Sequence, residues 1–329
     1  MFFCLKISED DEFEDYGKNQ FKINFRRLVY IFIFSGLVQS CIAIRQYAIQ
    51  SSLGFKYFAE SPLSIEKTGV ANFVVNSIKL IRPYGTFPHP NVLAAFLLIS
   101  IFLLYFVWMD KGHSHIKKCL LLIAYFTLLF ALFVSFSRTS IFVFLLFSLI
   151  YFVINFWSGI KKKNKVLFRK SIFILLLLSI FCLIFVCLSW PEASSRFRIS
   201  PEQKSFSMRV FYNDTAFLTI ANYPFIGLGI GNFVWEFKNM YDLLASWTHQ
   251  PVHNIYLLIA SETGLIGLVI FLFFIFLLFK SALKSKHLIF CLLLPAILII
   301  GLFDHFFWTL QQGQLMLWMI FGIIAANAD

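Results

Sequence analysis

Residues 171–189 read SIFILLLLSIFCLIFVCLS, nineteen positions without one charged side chain. About 20 mostly apolar residues suffice for a helix to cross the hydrocarbon core of a bilayer. The run lacks the strict apolar–polar alternation of a membrane β-barrel strand, so it predicts a spanning helix. Seven further segments read the same way. With Ser171–Ser189 as the fifth, they are Leu28–Ile49, Asn91–Met109, Cys119–Phe136, Ser140–Trp157, Asn254–Phe279, Leu288–Phe303 and Gly313–Ala326, the last being the shortest. Composition agrees: of 329 residues 59% are hydrophobic and 14% charged, with a mean hydropathy of +0.79. A soluble domain carries about 25% charged residues. The expected class is therefore all-α, a polytopic membrane helix bundle of about eight transmembrane helices. A large outer loop, 190–253, lies between the fifth and sixth. Residues 1–27 form a cytoplasmic tail, acidic over Glu9–Asp15 and too charged for a signal peptide, and 28–329 form the membrane domain.

The connecting segments alternate in charge. With the N-terminus inside, the inner segments 1–27, 110–118, 158–170 and 280–287 hold 17 Lys and Arg in 57 residues. The outer segments 50–90, 137–139, 190–253 and 304–312 hold 10 in 117. Cytoplasmic loops collect basic residues, so both termini are expected inside. The formal charge of +11 is then topology, and nucleic acid is not an expected partner. The six cysteines fall in helices or on the inner side with no Cys-x-x-Cys, so neither disulfides nor a zinc ribbon are expected. No internal repeat is visible, which weighs against a secondary transporter.

Five polar stretches interrupt the apolar sequence, all near the outer face: Arg82–Asn91 (RPYGTFPHPN), Ser135–Ser140 (SFSRTS), Met208–Asn232, His253–Gly267 and Asp304–Gln312. The two basic residue types separate. Of nine arginines, six (45, 82, 138, 196, 198, 209) lie outside or near the outer boundary, against five of nineteen lysines. Arginine differs by its planar fork, which grips carboxylate or phosphate bidentately. Arg82, Arg138 and Arg209 each lie in a turn marked by Gly, Pro or Ser and are expected to bind an anionic, phosphate-bearing substrate. For Arg196 and Arg198 interfacial snorkelling is the ordinary reading.

His253 opens a long helix at the boundary, where a neutral imidazole suits general-base work; its bland role is a cap or a packed interfacial ring. His249 and His253 are four apart, but Pro251 between them argues against a regular helical metal site. No metal is expected. Glu262 lies about half a turn out of phase with His253. It is either functional, as an ionisable group in a span, or an interhelical partner. Gly264 and Gly267 would permit close helix packing. Gly227–Gly231 has neither Walker nor Rossmann spacing and reads as a tight turn, of a kind that lets backbone N–H groups approach an anion.

Taken in order, these motifs resemble the O-antigen ligase family. His253-Asn254, nine residues, Gly264, two residues and Gly267 follow its H-[N/S/Q]-x9-G-x-x-G signature. Arg82–Asn91 is similar to its R-x-x-G-T-F-x-x-P-N segment. Ser137–Thr139 matches its S-R-T/G turn. Arg209 with Pro224–Phe233 matches an arginine followed by P-x-x-G-x-G-x-x-x-F in an outer loop. The likeness spans about residues 35–329. It implies a metal-independent, inverting glycosyltransferase without cofactors, in the cytoplasmic (inner) membrane with its site on the outer, periplasmic face. The donor would be a glycan on undecaprenyl diphosphate. The acceptor would be a lipid, glycan or protein, covering ligases, repeat-unit polymerases and protein O-glycosyltransferases. Carried onto this chain, His253 would be the base and Arg82, Arg138 and Arg209 the diphosphate ligands. Asn91 and Asn254 would orient substrate, and His89, Glu262, Asp304 and His305 are further candidates.

Two departures matter. The family carries several helices before the Arg82-like motif and this chain one, so an N-terminally shortened chain or a misassigned start is expected. The residues after Gly267 also leave the ligase-type pattern, which weighs against a lipopolysaccharide ligase. The competing readings are a lipid-linked glycan transporter or exporter component and a non-catalytic truncated homologue.

Overall fold

A computed structural model describes residues 25–110, 112–197, 204–285 and 287–326. The acidic segment 9–15 and Arg198 lie outside the described residues. Fourteen elements follow in chain order: α1 (Phe25–Ile49), β1 (Asn72–Val75), β2 (Ile78–Ile81), α2 (Pro90–Met109), α3 (His115–Val134), α4 (Arg138–Lys161), α5 (Lys165–Leu188), α6 (Trp190–Phe197), α7 (Lys204–Asn222), α8 (Phe233–Met240), α9 (Ile255–Lys284), α10 (Leu288–Gly301), α11 (Phe306–Thr309) and α12 (Gln311–Ala326). The architecture is an all-α polytopic bundle with one two-stranded hairpin. All eight expected helices form. Six of them, α1 to α5 and α9, are long and apolar enough to cross a membrane. At 14 and 16 residues, α10 and α12 reach about 21–24 Å at 1.5 Å per residue, short of a core about 30 Å thick.

The centre of the bundle is α2. It is apolar on every face, and a helix of that kind must be enclosed. It packs against α1, α3, α4 and α10, and nearly every side chain from Val92 to Trp108 is buried. By contrast α5 leaves Leu176, Ile180, Leu183 and Leu188 exposed, the outward apolar face that a lipid-facing helix presents. It starts at Lys165, earlier than the expected Ser171, because Asn164 caps it: the Asn164 carboxamide oxygen accepts from the Leu167 N–H at 3.1 Å.

Two regions differ from the expectation. The 190–253 segment is largely helical, carrying α6, α7 and α8. Arg209 accordingly sits inside helix α7, not in a turn, and Arg138 is the first residue of α4. The second is the antiparallel hairpin β1–β2, which pairs Asn72 with Ile81 and Val75 with Ile78. Its turn residues Asn76 and Ser77 both have positive φ, 47° and 68°, as a two-residue hairpin turn of the primed type requires.

Polar side chains of α1 bind the segment that leads from this hairpin into α2. Gln46 Oε1 accepts from the Tyr84 and Gly85 N–H groups at 3.0 and 2.8 Å, and Gln39 Oε1 accepts from the Thr86 N–H at 2.9 Å. Gly85 has φ +61°, and a Cβ there would lie 2.5 Å from Gln39 Oε1, so a larger residue would be strained and would push the Gln39 carboxamide aside. The Tyr84 hydroxyl accepts from the Ala71 N–H at 2.8 Å and ties the hairpin to the same loop.

Candidate active site

The ends of α2, α4, α6, α7 and α9 meet at a cavity of about 560 Å³. Arg82, Arg138, Arg196, Arg209, His89 and His253 all line it, with Asn91 and Tyr212 beside them. The three arginines singled out from sequence therefore converge. Arg196, read there as a snorkelling residue, joins them: it lies in the last turn of α6 and is folded inward. No carboxylate is among the described residues lining the cavity.

The arginines are held by backbone carbonyls more than by counter-charges. Arg82 is buried; its Nε donates to the Ser135 carbonyl at 2.7 Å and its Nη2 to Asn91 Oδ1 at 2.7 Å. Arg196 Nη2 donates to the Phe136 carbonyl at 3.3 Å, and Arg138 Nη1 to the Arg196 carbonyl at 3.4 Å. The 135–137 turn thus collects two guanidinium groups. Among the described residues the Arg196 Nε has no hydrogen-bond partner although it is buried, and its guanidinium lies 6.0 Å from the centre of the Phe73 ring on β1. Burial, then the neighbouring Arg196 and Arg138, push Arg82 down to about 9. Burial, then Arg138 and Arg209, push Arg196 down to about 10. Both stay charged near neutrality, and the mutual repulsion they register is what an incoming anion would relieve.

The histidines stand behind these arginines. His89 is the N-cap of α2, and its Nδ1 accepts from the Asn91 N–H at 3.2 Å. Burial, then Arg82, push it down to about 3, so it stays neutral. His253 directs Nδ1 towards Asp304 Oδ1 at 3.7 Å, too long for a hydrogen bond, and that buried Nδ1 has no partner within bonding distance. Asp304 is fixed on its other sides. Oδ1 accepts from the His305 N–H at 2.9 Å and Oδ2 from Asn91 Nδ2 at 2.6 Å. Burial alone would raise this carboxyl, but His253 foremost, then His305 and His89, hold it well below the usual carboxylate range. The His305 ring lies 4.9 Å from that of His253, its Nδ1 pairs with Thr309 Oγ1 at 2.7 Å, and burial pushes it down to about 4.

Arg82, Asn91 and Asp304 form a hydrogen-bonded chain, and His253 stands 3.7 Å from its end. Asn91 spends its carboxamide as the bridge, with its oxygen on Arg82 and its nitrogen on Asp304. Two candidates from sequence lie elsewhere. The Asn254 side chain caps α9, accepting from the Tyr256 and Leu257 N–H groups at 2.9 and 3.2 Å. Glu262 is buried outside the cavity and accepts from Trp308 Nε1 at 2.9 Å, which makes it an interhelical partner. His249 is also apart from His253 and contacts the Phe237 ring. Ligand atoms of His253, Asp304 and His305 lie within 4.8 Å of one another, close enough to hold a metal ion. Asp304 and His305 are 51 and 52 residues from His253, and no local spacing announces that cluster.

The glycine loop does not face the cavity. The Leu228 and Gly229 N–H groups donate to the Ser261 and Glu262 carbonyls at 2.9 and 2.8 Å, so they are not open to an anion. Gly264 approaches a loop backbone and not a second helix: a Cβ there would meet the Phe225 carbonyl oxygen at 2.1 Å. Gly267 only faces its own helix, at Thr263.

No curated protein matches this chain. A family model described as O-antigen ligase matches residues 123–272. The matched stretch holds Arg138, Arg196, Arg209, His253 and Glu262; outside it, Arg82, His89 and Asn91 line the cavity, and the Asp304-His305 pair stands beside His253. Ligase-type glycosyl transfer, with a lipid-linked glycan donor and an acceptor, is the activity that family suggests. The match over 123–272, with six membrane-length helices, supports an O-antigen ligase/polymerase-like family for this chain.

Proposed function

We propose that this chain transfers a glycan from an undecaprenyl-diphosphate carrier to a lipid, glycan or protein acceptor, on the outer face of the cytoplasmic membrane and without a metal. One observation carries the reading: four guanidinium groups face a single cavity whose described lining holds no carboxylate. A departing lipid diphosphate gains negative charge, and fixed forks stabilise it without reorganising at the moment of reaction. His253 accepts the proton of the acceptor hydroxyl. The hydroxyl oxygen bonds to the anomeric carbon from the face opposite the diphosphate. The bond from that carbon to the diphosphate oxygen breaks, its electron pair leaves with the carrier, and configuration inverts. Asp304 sits on the Nδ1 side of His253, so Nε2 is the nitrogen free to take the proton and Asp304 stabilises the imidazolium. Asn91 orients both ends of the relay, and His89, neutral, offers its Nε2–H to the donor.

The test uses the purified protein in detergent with undecaprenyl-diphosphate-linked glycan, a panel of acceptors and EDTA. Acceptor-dependent release of undecaprenyl diphosphate is expected, unchanged by the chelator. In His253→Ala it should fall about 10²–10⁴-fold, the range general-base groups contribute. Loss with EDTA and recovery with added metal would instead assign His253, Asp304 and His305 as ligands. Full turnover in His253→Ala at normal abundance would remove the base role.

A further inference from the structure

From Thr215 to Trp235 the chain has twenty-one residues and not one Asp, Glu, Lys or Arg, although this stretch lies inside the 190–253 outer segment. Asp214 and Glu236 bracket it. Its large apolar side chains are turned outward: Phe217, Leu218, Phe225, Ile226, Ile230 and Trp235 are all more than half exposed, Ile226 at 79%. Water is a poor environment for such a surface, and a contiguous apolar patch marks contact with another apolar phase.

The geometry says where that surface goes. Three contacts place α7 alongside α9, running in the same direction. The Tyr212 ring lies 6.0 Å from that of His253, Ser261 Oγ donates to the Ala216 carbonyl at 3.5 Å, and the Leu265 N–H donates to the Pro224 carbonyl at 2.7 Å. Following α7 from Tyr212 to its end therefore follows α9 from the cavity towards its lipid-length apolar half, where Ile266, Val269 and Ile270 are exposed. The chain then returns through α8, whose Phe237 lies 5.5 Å from the Phe211 ring. From Thr215 to Asn222 the descent is about 10 Å at 1.5 Å per residue, roughly a third of a hydrocarbon core.

Irregular backbone at that depth survives only if protein satisfies its polar groups. Here the satisfaction is reciprocal. Gly264 breaks α9 with φ 70° and ψ 179°, which diverts the Leu265 N–H to Pro224. The Ser261 and Glu262 carbonyls take the Leu228 and Gly229 N–H groups in exchange. The Gly227 N–H closes on the Tyr223 carbonyl at 3.2 Å. The loop tip and the break in the helix thus supply one another at these positions.

We propose that Thr215–Trp235 is a re-entrant membrane hairpin whose exposed side chains contact lipid acyl chains. It makes the α7 wall of the cavity, carrying Arg209 and Tyr212, border directly on lipid. The proposal stands independently of the reaction assigned to the cavity.

The test places a nitroxide at Ile226→Cys in a variant with the native cysteines replaced by alanine, in lipid nanodiscs. Lys238→Cys, beyond the uncharged stretch, is the aqueous comparison. Expected is collision with oxygen well above collision with a water-soluble nickel chelate at 226, and the reverse at 238. A label at 226 that reads like 238, or that is shielded from both probes as under a second copy of the chain, would overturn the proposal. If cysteine replacement prevents folding, the unaltered protein is irradiated in vesicles with a lipid carrying a diazirine in its acyl chain. Adducts within 217–230 support the hairpin, and adducts confined to α1–α5 and α9 refute it.

Discussion

Arg196 and Asn91 show what a single side chain contributes here. Arg196 sits in WPEASSRF, a short polar helix whose one proline, Pro191, lies five residues before it, and nothing adjacent separates it from an anchoring residue. Its meaning comes from α6 folding over the 135–137 turn, a long-range event that spacing does not encode. Arg196→Lys should lower kcat/KM for the lipid-linked donor about ten- to a hundredfold. A hydrogen bond from a charged group contributes about 1.5–3 kcal/mol, and lysine cannot reproduce the fork. Unchanged donor kinetics in a steady-state assay would return Arg196 to a structural part. Arg82, Arg138 and His253 were legible because each begins or precedes a helix within a distinctive polar motif. Asn91 was legible as a site residue but not as a bridge, since its partner Asp304 is 213 residues away.

Two partly buried, neutral histidines make the site acid-sensitive. His89 and His305 have folded values of about 3 and about 4, against about 6.5 for a free side chain. Between those values the unfolded chain binds protons that the folded chain refuses. Stability from these groups is thus full above about pH 6.5 and is lost as pH falls towards 4. Asp304 acts with the same sign, in a window that opens only below the ordinary carboxylate range. Melting temperatures between pH 7 and 4.5 should therefore decline. His89→Asn keeps an oxygen to cap α2 but does not titrate, so its decline should be shallower. Parallel curves for the two proteins would show that His89 does not carry the effect.

At the scale of elements, helices declared themselves and the pieces joining them did not. A 3.6-residue period is irrelevant when a helix is apolar all round, so length alone identified α1 to α5 and α9. The hairpin at 72–81 is four residues a side, and its one cue is Asn76-Ser77 between short apolar runs. Gly264 was read as a glycine for helix packing, and its close contact is a loop backbone instead. Its larger role, breaking α9 so that the Pro224–Gly229 loop can bond to it, depends on a segment about forty residues upstream. The φ 70°, ψ 179° conformation is open essentially to glycine alone, and strain of this kind costs about 1–3 kcal/mol. The clash of a Cβ with the Phe225 carbonyl adds to it. Gly264→Ala should lower the melting temperature in detergent, while Gly322→Ala, where a Cβ meets nothing, should not. Equal melting of the two variants would contradict the account of the break.

Across the whole molecule, charge is sorted by chemistry as well as by side. Lysines gather at one end, in 161–163 and at Lys280 and Lys284, where Arg26 also pairs with Asp110 at 3.3 Å. Four of the nine arginines gather at the other end, around one cavity. Lysine suffices for anchoring at a membrane surface, whereas arginine is chosen where a planar anion must be gripped. A folded protein that concentrates four guanidinium groups, with no carboxylate among the described lining residues, holds mutual repulsion, which adds to burial in depressing Arg82 and Arg196. Whatever relieves it binds the native state preferentially and stabilises it, by about 2.7 kcal/mol at a ligand concentration 100 times its Kd. Inorganic pyrophosphate should therefore raise the melting temperature at low ionic strength, more than equimolar sulfate. Because the cavity is open to solvent, added salt should weaken the effect, as screening shortens to about 10 Å at 0.1 M. Arg82→Gln should lose most of the shift, and a substitution of Lys162 at the opposite end should keep it. If pyrophosphate and sulfate stabilise alike and Arg82→Gln responds as fully as the unaltered chain, the arginines are not a diphosphate site. The concentration of arginine at one end would then need another cause.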